Sequence, residues 1–170
     1  MRSLSLLLPA AVIGAGACPP ASLRGLLTWR VRFVERDPAD DVARPAGWSD
    51  VVEACAAPCG EHPETDPLTG AHRWPTDLSG DGFAAWWAAP RPVRGPVRLR
   101  GDLVVDPLDG RPTTGRILRV RRLTETLRDG RVVALTARDL TAIPRSVDPG
   151  GPGGATRDRG VLLDLELGVT

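Results

Sequence analysis

The feature that most constrains this chain is a set of segments in which apolar and polar residues alternate one by one. The alternation runs through residues 27–33, 97–105 and 161–167. It places successive side chains on opposite faces of an extended strand, one toward a core and one toward water. An amphipathic helix would instead repeat its apolar residues about every 3.6 positions. The pattern therefore predicts antiparallel sheet.

The clearest turn signal is Asp129-Gly130, which joins two further strand-like segments at residues 116–127 and 132–143. Asp-Gly readily adopts the positive φ angles of a type I′ turn, the tight connection of a β-hairpin. The alternation breaks at residues 119–122, which indicates a bulge or a sheet edge there.

Together these segments predict a mainly β fold, a small antiparallel barrel or sandwich of about five strands. The 170 residues include 19 Gly and 17 Pro, so long uninterrupted helices are not expected. Residues 37–94 separate the first strand from the second, and we interpret them as an irregular insert with two short helices at residues 50–57 and 83–89. Residues 23–170 would then form a single β-rich domain.

Residues 1–22 carry the pattern of an export leader. Arg2 precedes an uncharged, mostly apolar run from Ser3 to Ala17, and Cys18 follows directly. This pattern is typical of a secretory signal peptide, and Cys18 resembles the lipid-attachment cysteine of bacterial lipoproteins. The alternative is an N-terminal strand packed in the core. The sequence thus leaves two locations open: export with a lipid anchor at Cys18, the one membrane contact expected, or the cytoplasm.

Charge is unevenly distributed along the chain, although the net charge is only +1. Residues 37–90 contain two Arg and ten acidic residues, whereas residues 91–145 contain thirteen Arg and six acidic residues. Such a division indicates either internal charge complementarity or a charged binding face. We favour internal complementarity, and the balanced total excludes a histone-like protein.

The cluster with the most specific spacing combines two Cys with both His of the chain: Cys55, Cys59, His62 and His72. A C-x₂₋₄-C spacing lets two thiolates reach one Zn²⁺, and two imidazoles would complete a closed structural site. In an exported chain, a Cys55–Cys59 disulfide is the alternative. A third interpretation is that these are ordinary thiols and surface imidazoles. Zinc is the one cofactor that the sequence indicates.

The predicted insert is rich in tryptophan, which makes it a candidate for ligand binding. Trp74, Trp86 and Trp87 could line a groove for a sugar or another small ligand. The simpler interpretation is a compact core for a segment that is short of aliphatic residues.

Arginines mark the polar face of the predicted strands. Arg98 and Arg100 lie on that face, as do Arg30 and Arg32, and guanidinium groups there could hold a nucleic-acid backbone. Single-strand binding also needs aromatic residues on the same face for base stacking. The alternation puts none there, so pairing of these arginines with the acidic segment is the favoured interpretation.

The familiar enzyme motifs are absent: there is no G-x-S-x-G, no H-E-x-x-H, no Walker loop and no dinucleotide-binding glycine pattern. We therefore expect a non-enzymatic binding or structural β-domain, with a small ligand or a protein as its partner rather than nucleic acid. One alternative is an envelope lipoprotein or secreted ligand-binding protein. The other is a nucleic-acid-binding β-barrel that uses the arginine face.

Overall fold

A computed structural model of the chain describes residues 3–18, 21–37, 39, 42–151 and 153–168. In this part of the chain the structure has ten strands and one five-residue helix. The prediction of a mainly β, barrel-type fold is therefore confirmed. The elements are β1 (Ser3–Pro9), α1 (Ala10–Gly14), β2 (Leu26–Glu35), β3 (Val51–Pro58), β4 (Glu64–Thr65), β5 (His72–Ser79), β6 (Ala84–Ala89), β7 (Gly95–Val105), β8 (Arg111–Arg128), β9 (Arg131–Leu140) and β10 (Thr156–Leu167).

The chain divides into two compact units. The terminal unit combines Met1–Leu27, Asp37–Ser49 and Gly115–Thr170. The barrel unit combines Thr28–Arg36 and Asp50–Thr114.

In the barrel unit, five of the described strands pair into a closed ring. β7 pairs antiparallel with β3 through its first half and with β2 through its second half. β5 pairs antiparallel with both β3 and β6, and β6 returns to β2 through a short parallel ladder. The small β4 is added to β5. The buried side chains of this ring are Trp29, Val31, Phe33, Val52, Ala56, Thr76, Leu78, Ala85, Trp87, Ala89, Leu103, Val104 and Val105.

Gly101 is the point at which β7 changes partner. Residues Gly95–Arg100 pair with β3, and residues Gly101–Val105 pair with β2. A Cβ atom at Gly101 would overlap the carbonyl oxygen of Val34 and the ring of Phe33. Glycine is therefore required here because β2 and the Phe33 ring approach the backbone of β7 closely.

The terminal unit contains an antiparallel sheet in the order β1–β10–β8–β9. Leu6 and Leu8 of β1 are fully buried, and Ile13 of α1 is buried as well. The segment with the leader pattern thus forms a strand and a short helix in this fold. Its cleavage, and lipidation of Cys18, stay predictions.

One face of this sheet holds a buried ion pair at a position of residues 161–167 that the alternation assigns to the water-facing side. Arg121, which is 2% exposed, donates through one terminal nitrogen to both carboxylate oxygens of Asp164 at 2.9 Å. Its other terminal nitrogen donates to the carbonyl of Ala46 at 2.8 Å, and Ser5 Oγ donates to Asp164 at 2.7 Å. Additional hydrogen bonds of this kind offset the desolvation of a buried charge pair.

The predicted strands and hairpin are present. Four of the strands are longer than the alternation indicates, whereas β9 ends at Leu140 rather than at residue 143. Asp129 and Gly130 have φ angles of 51° and 75°, as a type I′ turn requires. The break at residues 119–122 coincides with a bulge, because Asp164 pairs with Arg119 and Leu165 pairs with Ile117, leaving Leu118 as the extra residue.

The prediction of an irregular insert with two short helices is wrong. The segments predicted as helices form β3 and β6, and the strand count of about five is too low because residues 37–94 contribute four strands. In β6, Ala85, Trp87 and Ala89 are buried and alternate with less buried neighbours. Alanine favours helix by less than about 1 kcal/mol per residue. Pairing of β6 with strands on both sides outweighs that preference.

Replacing Gly101 by Ala should lower the free energy of unfolding by about 1–3 kcal/mol, because the added methyl group displaces the backbone of β2. Equilibrium unfolding in urea measures the loss. Gly60→Ala is the matched control, since a Cβ at Gly60 meets nothing within 4 Å. Equal stability of the two variants would contradict the close approach of β2 and β7.

Replacing Leu8 by Ala should lower the free energy of unfolding by about 2–5 kcal/mol, because it leaves a cavity at a fully buried position. Leu23→Ala serves as the control, since Leu23 is 40% exposed and should change stability by less than about 0.5 kcal/mol. Both variants are measured by thermal and urea unfolding on protein whose intact mass shows residues 1–17 present. If Leu8→Ala left the free energy of unfolding unchanged, β1 would not be needed to hold the terminal unit together.

Candidate ligand pocket

The barrel unit has a pocket beside the place where β2 and β6 meet. Among the described residues, their parallel ladder consists of the pairs Arg32 with Trp86 and Phe33 with Trp87. A cavity of about 270 Å³ adjoins this ladder, and we call it the tryptophan pocket. It is lined by Arg32, Phe33, Val34, Glu35, Arg73, Trp86, Trp87 and Ala88.

The two neighbouring tryptophans of β6 have different environments. Trp87 is 4% exposed, and its ring meets that of Phe33 edge to face, with the centroids 5.9 Å apart. Trp86 is half-buried on the opposite face of the strand, in register with Arg32. The expectation that no aromatic residue shares the arginine face is therefore wrong. A pairing between segments more than fifty residues apart is invisible to local alternation.

Charged side chains of both signs surround the pocket. Arg32 Nε lies 3.3 Å from a carboxylate oxygen of Asp106. Arg73 is half-buried and stands opposite Glu64 in the β4–β5 ladder, while Glu35 is exposed at the end of β2. A rim with both donors and acceptors suits a polar, uncharged ligand better than an ion.

Trp74, the third predicted tryptophan, does not line the pocket. It is half-buried in β5 opposite Ala89, at the other side of the β5–β6 ladder from β2. The carbonyl of Trp74 accepts a hydrogen bond from Thr76 Oγ1 at 2.9 Å. The structure therefore brings Trp86 and Trp87 into one site and leaves Trp74 outside it.

Arg98 and Arg100, the predicted basic binding residues, are exposed but paired with acidic residues of the neighbouring strand region. Arg100 donates to Asp50 at 2.8 Å, and Arg98 Nε lies 3.7 Å from Glu53. The arginine face is thus largely neutralised within each unit, as internal complementarity predicts. Arginine–carboxylate pairs on the described strands include Arg32–Asp106, Arg98–Glu53, Arg100–Asp50, Arg119–Asp139, Arg121–Asp164 and Arg122–Asp158.

The predicted zinc ligands are not brought together. In the part of the chain that the structure describes, no three His, Cys, Asp or Glu side chains lie where they could share a metal ion. Cys55 lies within β3 and Cys59 just beyond its end, and four steps of extended chain span about 13 Å. A disulfide needs Cα atoms within about 7 Å. Neither cysteine is in a disulfide and both are exposed, and the side chains of His62 and His72 are exposed as well.

The thiols of Cys59 and Cys18 are not activated. Burial, followed by the carboxylate of Asp77, raises the pKa of the Cys59 thiol, although the nearby guanidinium of Arg111 lowers it. Burial also raises the pKa of Cys18, the predicted lipidation site. Both thiols therefore stay protonated near neutral pH, in contrast to the thiolate that a nucleophile requires.

Comparison of the chain with models of known protein families, with curated proteins and with solved structures finds no significant match. Along the described part of the chain, no helix has the length and apolar character needed to cross a bilayer.

The Arg119–Asp139 pair should give stability that depends on pH. Hydrogen bonds from Arg119 hold the pKa of Asp139 below its ordinary value. Because the folded-state pKa is the lower one, the stabilisation is present above the ordinary carboxyl pKa of about 4 and is lost as pH falls through the folded-state value. The difference in unfolding free energy between wild type and Asp139→Asn should follow this course.

Urea unfolding at a series of pH values between 2 and 7 measures that difference. Asp109→Asn, on the exposed turn before β8, is the matched control. A wild-type advantage over Asp139→Asn that is equally large at pH 2 would contradict the role of the ion pair.

Proposed function

We propose that this protein is a non-enzymatic binding domain that takes one ring-sized, polar and uncharged molecule in the tryptophan pocket. The observation that carries the proposal is Trp86, a large aromatic side chain left half-buried beside a cavity instead of in the core. Exposed aromatic faces flanked by a few polar groups are typical of sites for small molecules.

The size of the pocket limits the ligand. Sites for drug-sized molecules usually measure about 300–1,000 Å³, and a cavity of about 150 Å³ already holds benzene. The tryptophan pocket, at about 270 Å³, fits a single ring with its substituents.

The lining favours binding over catalysis. Among the described residues that line the pocket, Glu35 is the one carboxylate, and none is a Ser, Cys, Lys or His. A general acid–base pair or an activated nucleophile would need such a partner within hydrogen-bond reach.

The nucleic-acid alternative is disfavoured by charge. Affinity for a phosphate backbone comes from arginines and lysines that neutralise phosphates. Six strand arginines already have a carboxylate within 4 Å. A lipid anchor at Cys18 and export are further proposals, and both are compatible with a ligand pocket in the barrel unit.

Trp86→Ala should abolish binding of small ring compounds without unfolding the protein, because Trp86 lies outside the core. Saturation-transfer NMR with phenol, uracil and methyl β-glucoside as probes measures binding. For ligands of this size we expect a Kd of about 1 mM, which corresponds to about 4 kcal/mol.

Leu68→Ala is the matched control, since Leu68 is 94% exposed on a turn away from the pocket lining. Binding of at least one probe by wild type and Leu68→Ala, and its loss in Trp86→Ala, would support the proposal. If the wild type binds none of the three, or if Trp86→Ala binds as well as wild type, the proposed function is wrong.

A further inference from the structure

We infer that the tryptophan pocket selects a planar ring with an N–H donor and a C=O acceptor in its plane, such as a cyclic amide or a nucleobase-like heterocycle. This inference rests on the proposed function and adds the chemical class of the ligand. It derives from the backbone groups that the end of the β2–β6 ladder leaves beside Trp86.

The first step is the direction of the backbone groups of β2. The carbonyl of Arg30 accepts from the amide of Asp106 at 2.8 Å, and the amide of Arg36 donates to the carbonyl of Arg100 at 3.0 Å. Even-numbered residues of β2 therefore direct their N–H and C=O toward β7. Because successive residues of a strand alternate between its two edges, Glu35 directs its backbone groups toward β6.

The second step is the direction of the backbone groups of β6. The hydroxyl of Thr113 bonds both backbone groups of Ala84, accepting from the amide at 2.9 Å and donating to the carbonyl at 2.7 Å. The groups of Ala84 thus point away from β5, and those of Ala88, four residues later, point the same way. Ala88 consequently directs its backbone groups toward β2.

The third step is the bond that is not made. The parallel ladder ends with the pair Phe33 and Trp87. One residue further, a bond from the N–H of Glu35 to the C=O of Ala88 would add the register pair Val34 and Ala88, and the ladder between the described residues stops before that pair. Glu35 and Ala88 both line the pocket instead. A backbone donor and a backbone acceptor therefore face the cavity together.

Unpaired backbone groups impose a requirement on what enters the pocket. A backbone donor or acceptor that a ligand removes from water without replacing its hydrogen bond weakens binding, so an apolar ring that displaced water here would incur that penalty. A ring with its own C=O and N–H would complete the interrupted ladder: its C=O would accept from Glu35 and its N–H would donate to Ala88. The half-buried indole of Trp86 adds a flat surface on which such a ring stacks.

Two isomers of equal size test the inference. 5,6-Dimethyluracil keeps both ring N–H groups, whereas 1,3-dimethyluracil carries its methyl groups on the two ring nitrogens and donates no hydrogen bond. Saturation-transfer NMR titrations against the full-length protein give their Kd values, with uracil and phenol measured alongside. Trp86→Ala should lose every signal, and Leu68→Ala should keep it.

We expect 5,6-dimethyluracil to bind at least about fivefold more tightly than its 1,3-isomer, the ratio that one hydrogen bond provides. Equal affinity of the two isomers, or binding of phenol or methyl β-glucoside but not of uracil, would overturn the inference and leave the proposed function standing. If no ring compound binds in a manner that depends on Trp86, the proposed function itself is wrong.

Discussion

The parallel ladder between β2 and β6 closes the barrel unit, and its existence follows from the number of strands. Strands that alternate in direction around a closed ring must be even in number. The ring described here has five, so one neighbouring pair has to be parallel. Parallel pairing is slightly less stable per residue than antiparallel pairing, and this ladder covers only two register pairs. The tryptophan pocket thus lies beside the shortest of the five ladders that form the ring.

The same constraint explains why two adjacent tryptophans have such different surroundings. The register of the ladder puts Trp87 beside Phe33 inside the ring and Trp86 beside Arg32 outside it. A large aromatic residue at each of two successive strand positions must place one ring on each face. The indole of Trp86, on the outer face of the sheet, is only partly covered, because the rest of the outer face carries arginine–carboxylate pairs.

The sequence predicts those parts of the fold that depend on neighbours along the chain. Alternation located β2, β7 and β10, and Asp129-Gly130 located the β8–β9 hairpin. β6 could not be recognised, because Ala-Ala-Trp-Trp-Ala-Ala contains no polar residue to mark one face. Cys55 and Cys59 were assigned to one site on their spacing alone, in a segment predicted to hold a short helix, and the extended strand holds them apart.

The charge pattern was more informative than the motifs, for a physical reason. Opposite net charges on residues 37–90 and 91–145 require only that the two segments meet somewhere in the fold. The ion pairs Arg98–Glu53 and Arg100–Asp50 show that they do meet. A zinc site or a ligand pocket instead requires particular atoms within a few ångströms. For the pocket, that placement depends on the β2–β6 register, which long-range pairing decides.

Core packing and the lining of the pocket's outer side are divided between neighbouring residues in this structure. Gly101 leaves room for the side chain of Phe33, and Phe33 packs against Trp87. The inner side of the pocket is therefore formed by residues that also belong to the core of the barrel unit. Trp86 makes no contribution of that kind, since it faces outward. Changes at Trp86 should therefore cost the fold little, whereas changes at Trp87 would loosen the one parallel ladder in the ring of the described barrel unit.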